Sequence, residues 1–216
     1  MPYSYTRFTP LLSAWPTIFL LAAVGLFLAV LLSFIQPLEY SSKTRLLATQ
    51  ELSSSTDAYT ASRSAEIIAE DLSNAIYTTS FYDEVFSTSY NLDESYFDTG
   101  SETRKRKRWE DAISTSVTRS TGLLTVKVYH TDVDQAELLA LAISDVLEES
   151  GWEYTSSSNI TVQVVDDPLN SNWPVRPNLL VNAFSGFILG ALAGIGYVLI
   201  QVERIRRRHQ VVHIEE

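Results

Sequence analysis

An uncharged apolar run in the last quarter of the chain constrains the fold most. It extends from Asn178 to Val202, 25 residues without Asp, Glu, Lys or Arg. Roughly 20 residues, each rising 1.5 Å along a helix, cross the hydrocarbon core of a bilayer. The run therefore predicts a transmembrane helix at 178–202 and a basic cytoplasmic tail at 203–216. The tail begins with Arg204, Arg206, Arg207 and Arg208.

A second apolar run lies near the start of the chain, where no side chain is charged between Arg7 and Glu39. It is longer than the apolar core of a signal peptide, about 7 to 15 residues. Residues 33–37 also offer no cleavage site of the pattern small residue, any residue, small residue. We therefore predict an uncleaved transmembrane helix at 15–36 after a cytoplasmic N-terminus at 1–14, and a cleaved signal peptide is the alternative.

Both runs carry small residues at every fourth position, so that these residues form a strip along one side of each helix. Such strips let helix backbones approach closely within membranes. They predict close helix packing, and packing within one chain and packing between subunits are both open. The strips are Gly25, Ala29 and Ser33 in the first run and Gly186, Gly190 and Gly194 in the second.

Basic residues beside the two runs predict the orientation of the chain, because cytoplasmic flanks carry an excess of Lys and Arg. The four tail arginines and Arg7 outnumber Lys43 and Arg45, which follow the first run. We predict a multi-pass protein of the cell membrane, inner or plasma, with both termini cytoplasmic and residues 37–177 extracytoplasmic.

The segment between the runs is acidic. From Glu39 to Arg176 it has 23 acidic against 11 basic residues, a net charge of −12. This balance argues against nucleic acid as a partner. The chain has no cysteine, which excludes disulfide frameworks and thiol nucleophiles.

Alternating and helical patterns predict an α+β domain in this segment. Apolar residues recur at every second position in four stretches and at spacings of three and four in others. Strand, helix and strand over Leu123 to Val165 predict a β-α-β unit, and hence a small mixed sheet packed by helices. The strands are predicted at 39–50, 113–117, 123–129 and 160–164, and the helices from Asp57 to Ile76, at 80–86, up to Ala112 and from 132 to 150.

Two local motifs flank the second half of this domain. Asp132 and Gln135 have the spacing of a helix cap pair, with Ala136 directly behind them. Proline lacks a backbone donor and restricts the residue before it, so prolines ahead of the second run predict a stiff junction. This junction comprises Pro168, Pro174 and Pro177.

A run of five cations has two interpretations. It could be a solvated helix face that neighbouring acids neutralise, or it could contact an anionic lipid head group or an acidic glycan. The sequence of the run does not distinguish between these two interpretations. The run is Arg104, Lys105, Arg106, Lys107 and Arg108.

Residues that carry chemistry are sparse. His130 is the one histidine between the two apolar runs; it lies near Asp132 and Asp134, but further nitrogen donors for a metal are missing. The chain has no phosphate-binding glycine motif and no nucleophile elbow. We expect no enzymatic activity, no metal and no cofactor.

The layout resembles the chain-length determinant (Wzz-type) family of polysaccharide co-polymerases, especially its short members that modulate bacterial tyrosine kinases. The similarity consists of an N-terminal span, a compact α/β domain, the strand-to-cap run Leu123 to Ala136, and prolines before a glycine-rich second span. The chain departs from the family at Val133, where an Asp-Pro pair is typical. It also lacks room for the long helical hairpin of the larger members.

The resemblance implies a regulator of the chain length or export of a surface polysaccharide, such as capsule, O-antigen or exopolysaccharide. Such a protein would act as a homo-oligomer in contact with a polysaccharide polymerase or with the glycan. Two alternatives stay open. One is a membrane adaptor that activates a cytoplasmic tyrosine kinase, and the other is a generic membrane-anchored structural or binding module.

Overall fold

The computed structural model describes residues 13–50, 57–98, 100–156 and 159–212. The chain divides into two compact units. The first unit is Leu38–Val175, which we call the head. The second contains the apolar segments on either side of it, which we call the helix pair.

Within the described ranges the chain forms six α-helices and four strands. Short 3-10 turns at Glu94–Tyr96 and Gly151–Tyr154 complete the head. The elements in chain order are α1 (Trp15–Ser33), β1 (Tyr40–Gln50), α2 (Ala58–Ala75), α3 (Thr79–Ser87), α4 (Glu102–Ala112), β2 (Ile113–Thr118), β3 (Leu123–His130), α5 (Val133–Ser150), β4 (Ile160–Asn170) and α6 (Leu179–Val212).

The helix pair consists of α1 and α6, and both are long and apolar enough to cross a membrane. Their bounds differ from the predicted ones. The first helix ends at Ser33 rather than at residue 36, and α6 continues past Val202 as far as Val212. Residues 203–212 contain no glycine or proline to end the helix, so the helix continues into the segment predicted as the basic tail.

The head has a four-stranded sheet in the order β2-β3-β1-β4, and every neighbouring pair is antiparallel. The prediction of a mixed sheet is therefore wrong. Strands β3 and β4 are joined through α5, but β1 lies between them, so the β-α-β unit is split. The order is that of the ferredoxin-like β-α-β-β-α-β arrangement. This arrangement hosts many unrelated functions and names none by itself.

One face of the sheet is buried and the other is open. Alternate residues of β1 and β3 are fully or almost fully buried under α2 and α5, as the period of two predicts. Apart from the buried Ser41, the other residues of β1 and β3 are half-buried or exposed, and we call the side that carries them the open face. The buried strand residues include Ser42, Thr44, Leu46, Ala48, Leu124, Val126, Val128 and His130.

The core of the head joins α2 to an aromatic cluster of Tyr82, Phe86, Phe97 and Trp109. The predicted apolar stripe is confirmed at Ile68 and Leu72 of α2 and at Ile76 directly after it, which are fully buried. The predicted cap at Asp57 is also confirmed, because its carboxylate accepts the backbone N–H of Thr60 at 3.3 Å. Trp109 closes the cluster by donating its indole N–H to the Ile76 carbonyl at 2.7 Å.

The first and last residues of the head lie side by side. The backbone N–H of Val175 donates to the carbonyl of Glu39 at 2.8 Å, and that of Ser171 donates to the carbonyl of Ser41 at 2.8 Å. The chain therefore enters and leaves the head at the same end of the sheet.

Candidate functional site

The two small-residue strips pack against each other within one chain. A Cβ atom at Gly190 would lie 2.9 Å from Cα of Ala22, and one at Gly194 would lie 2.9 Å from Cα of Ile18. A Cβ at Gly186 would collide with the Cβ of Ala29. We call this contact the seam. It brings the predicted packing residues of both helices together and leaves no space for a larger side chain.

A polar contact closes one end of the seam. The side-chain amide of Asn182 donates to the Ser33 hydroxyl at 2.8 Å, and this hydroxyl donates to the Ala29 carbonyl at 2.9 Å. Sequence reasoning missed Asn182. Its signal was present, because Asn182 lies four residues before Gly186 and continues the same strip. Between helices in an apolar medium such hydrogen bonds are worth about 0.6 kcal/mol on average.

The seam leaves only the outer sides of α1 and α6 for other molecules. Large apolar side chains cover these sides, among them Phe19, Phe27 and Phe184, which are 59%, 61% and 66% exposed. Since the glycine strips already face each other, an oligomer of intact helix pairs would have to use these outer sides or the head.

The three prolines do not form one junction. Pro168 lies within β4, an outer strand of the sheet, where a missing N–H is tolerated. Pro174 and Pro177 lie between the end of β4 and the start of α6. The predicted junction is therefore corrected to the two later prolines, since β4 extends further than its alternating pattern shows.

The predicted cap pair is only half present. Asp132 is the cap of α5 and accepts the backbone N–H of Asp134 at 2.9 Å. Gln135 does not return to the cap, so that part of the prediction is wrong. Its amide instead accepts the N–H of Asp93 at 2.9 Å and donates to the carbonyl of Asn91 at 3.3 Å. It thus fixes the loop before α4, while Ala136 is fully buried behind the cap.

His130 is a structural histidine at the end of β3. Its Nδ1 accepts the backbone N–H of Asp132 at 3.0 Å, and its ring lies 4.1 Å from the ring of Tyr96. Burial lowers the pKa of His130, against the opposing attraction of Asp132, Asp93 and Glu39. Among the described residues no three His, Asp or Glu side chains are grouped so that they could hold a metal ion.

The lowered pKa of His130 predicts a loss of head stability in mild acid. The unfolded chain takes up this proton near pH 6.5, before the folded chain does, so unfolding becomes easier as the pH falls below 6.5. We expect the free energy of unfolding to decline over this range, and His130→Asn to flatten the decline. Asparagine can still accept the N–H of Asp132, but it does not titrate.

Urea unfolding of the full chain between pH 7.5 and 5 measures the slope. A carboxylate such as Glu66 falls outside this window, because the hydrogen bond from Arg63 lowers its pKa from 4.5. An equal slope in the parent chain and in His130→Asn would contradict the assignment.

Two cations of the basic run contact neighbouring side chains or backbone, and we call the other three the untied cations. Nζ of Lys105 lies 4.4 Å from the ring centre of Tyr82 and 3.8 Å from Oε1 of Glu94. Arg108 donates to the Tyr96 carbonyl at 2.5 Å. The other three cations are exposed and form no ion pair with any described residue. They are Arg104, Arg106 and Lys107.

Side chains cover part of both outer edges of the sheet. Glu148 accepts the backbone N–H of Val164 on β4 at 2.6 Å, and the Tyr77 hydroxyl accepts the N–H of Thr115 on β2 at 3.1 Å. A partner strand would need these donors. Edge-to-edge pairing of heads is therefore disfavoured.

Comparison with known proteins does not connect the chain to a family. No protein-family model matches it, and no curated protein sequence is similar to it. The candidate functional surfaces are therefore defined by geometry: the seam of the helix pair, the untied cations of α4 and the open face of the sheet.

Proposed function

We propose that the chain is a membrane-anchored regulator of the chain length or export of a surface polysaccharide. In this proposal α1 and α6 cross the cell membrane and the head lies outside the cytoplasm. The observation that carries it is the character of the helix pair. Only 11% and 17% of the most apolar stretches of the two helices are buried, which suits surfaces that face lipid.

The topology is supported by the two ends of the head. Glu39 and Val175 are joined by a hydrogen bond, so two spans can leave the head side by side. The arginines after residue 203 would then lie on the cytoplasmic side together with the N-terminus.

The link to polysaccharide rests on the resemblance of the layout to chain-length determinants. The role proposed is non-enzymatic: copies of the chain gather around a polymerase and limit how long it retains the growing glycan. The filled seam gives each copy a rigid anchor, so that the outer sides of the helices and the head form the contacts between copies.

Deleting the gene tests this function. We expect the length distribution or the amount of the surface polysaccharide to change, as read by electrophoresis of the extracted glycan. The parent chain and Gly196→Leu should restore it, since a Cβ at Gly196 meets nothing within 4 Å. Gly190→Leu, which cannot fit into the seam, should not restore it. An unchanged glycan in the deletion strain would overturn the proposal.

One observation favours a second function, an adaptor for a cytoplasmic tyrosine kinase. Helix α6 continues without a break to Val212, so the four arginines belong to the same helix as the apolar stretch. In the proposed topology they would extend this helix beyond the membrane on the cytoplasmic side. Truncation after Val202 would remove the kinase from pull-downs if the chain is an adaptor. A regulator that acts through the head would keep its effect on the glycan.

A further inference from the structure

A pair of lysines faces each other on the open face of the sheet. Lys43 of β1 and Lys127 of β3 are direct partners in the antiparallel register. Directly opposite residues have Cβ atoms about 5 Å apart, and like charges in this position are destabilising. The sheet therefore concentrates two positive charges at its centre at some expense of stability.

No acidic side chain among the described residues forms an ion pair with either lysine, although Asp166 and Asp167 line the same groove as Lys43. The nearest acid in the register is Asp166 on β4, which forms an ion pair with Arg45 at 3.2 Å. Lys127 instead places its Nζ 5.1 Å from the ring centre of Tyr129. In a segment with a net charge of −12, two directly opposed lysines are a local concentration of positive charge.

Hydroxyl groups and one aromatic ring lie beside Lys127 on the open face. Ser114 of β2 is the direct partner of Lys127, and Ser116 is the partner of Thr125 on β3. Opposed residues share a face of the sheet, so these hydroxyls lie on the open face beside the ammonium groups. Ammonium groups can bind the carboxylates of an acidic sugar, and hydroxyl groups can hydrogen-bond its hydroxyls. A tyrosine ring can pack against the face of the sugar ring.

We propose that the open face binds an anionic polysaccharide, with its carboxylates held between Lys43 and Lys127. Ser114 and Ser116 hydrogen-bond the sugar hydroxyls, and Tyr129 packs against a sugar ring. The inference rests on the proposed function and names the class of glycan that this function would involve.

Two other occupants fit the open face less well. A second copy packed face to face would set the same lysines against each other. A lipid surface would need large apolar side chains beside the cations. The exposed ones, Val165 and Leu169, lie only on the β4 side, where Leu169 is the register partner of Lys43; the β2 side of the pair carries hydroxyl groups instead.

Binding of defined oligosaccharides to the full chain in detergent tests the inference. Thermophoresis should detect oligoglucuronate but not a neutral maltooligosaccharide of equal length, and added salt should weaken the binding. The double variant Lys43→Gln/Lys127→Gln should bind oligoglucuronate about tenfold more weakly. The matched control Arg63→Gln/Arg119→Gln removes the same charge from a groove that contains neither lysine and should bind like the parent chain. Thermal unfolding verifies that both variants are folded.

Equal affinity in the lysine variant and the parent chain, or an equal loss in the control, would overturn the inference. So would binding to micelles that contain an anionic phospholipid without binding to oligoglucuronate, which would assign the face to lipid. The proposed function and the binding site can be tested separately. If the glycans are unchanged in the deletion strain but oligoglucuronate binds through the lysines, the regulatory role is wrong and the binding site stands. If the glycans change but oligoglucuronate does not bind through the lysines, the binding site is wrong and the regulatory role stands.

Discussion

Replacing Gly190 by leucine is expected to separate α1 from α6. A single methyl group at this position would already lie 2.9 Å from Cα of Ala22, and the neighbouring atoms are backbone that cannot rotate away. Overpacking of this kind costs about 1 to 3 kcal/mol and occasionally more. A cost of about 2 kcal/mol shifts the ratio of paired to separated helices up to roughly thirtyfold.

The absence of cysteine from the chain makes this prediction easy to measure. Ser33→Cys together with Asn182→Cys introduces one thiol pair where the two side chains now share a hydrogen bond. In the parent background mild oxidation should join the pair within one chain. With Gly190→Leu added, the intramolecular disulfide should become a minor species on a denaturing gel.

Gly196 supplies the matched control in the same helix. A Cβ at this position meets no heavy atom within 4 Å, so Gly196→Leu adds the same side chain without entering the seam. It should cross-link like the parent. If Gly190→Leu cross-links equally well, the seam does not hold the helices together and the account of the helix pair is wrong.

Much of the fold follows from local patterns. The alternation in β1, the stripe of α2 and the cap at Asp57 depend on residues close in sequence, and the structure has each of them. The four-residue spacing of Gly186 and its partners likewise shows that a helix has a close-packing side. Local patterns show which side of an element is buried, since burial follows the period of the backbone.

Local patterns do not show which other elements each helix or strand contacts. The position of β1 between β3 and β4 depends on pairings between residues at least 76 positions apart, and it alone turns the predicted mixed sheet into an antiparallel one. The opposition of Lys43 and Lys127 is visible only once this register is known. Gln135 was misassigned for the same reason, because its partners come from a distant loop.

The seam also shows why the sequence alone does not predict how copies of the chain would associate. From the sequence, glycine strips equally favour packing within a chain and packing between subunits. In the structure they are used within the chain, and two covered edge donors disfavour pairing of heads through their sheets. Contacts between copies would therefore depend on surfaces whose residues carry no simple periodic signal.

Replacing Gly122 by alanine is expected to cause the largest loss of stability in the head. Gly122 ends the turn between β2 and β3 with φ of +65°, a conformation that costs other residues about 1 to 2 kcal/mol. An added Cβ would also lie 2.8 Å from the Cβ of Ala65 and would collide with the Ala48 carbonyl. Together with overpacking, we expect a loss of roughly 3 kcal/mol.

Gly100 separates the two contributions, because its φ of +68° is nearly the same but a Cβ there would meet nothing within 4 Å. Gly100→Ala should therefore cost only about 1 kcal/mol. Thermal unfolding of the full chain, followed by near-ultraviolet circular dichroism of the aromatic cluster around Trp109, measures both variants. Equal losses would mean that backbone strain alone makes Gly122 necessary. A much larger loss for Gly122→Ala would show that the turn is packed against β1 and α2, and that the hairpin is anchored to the core of the head.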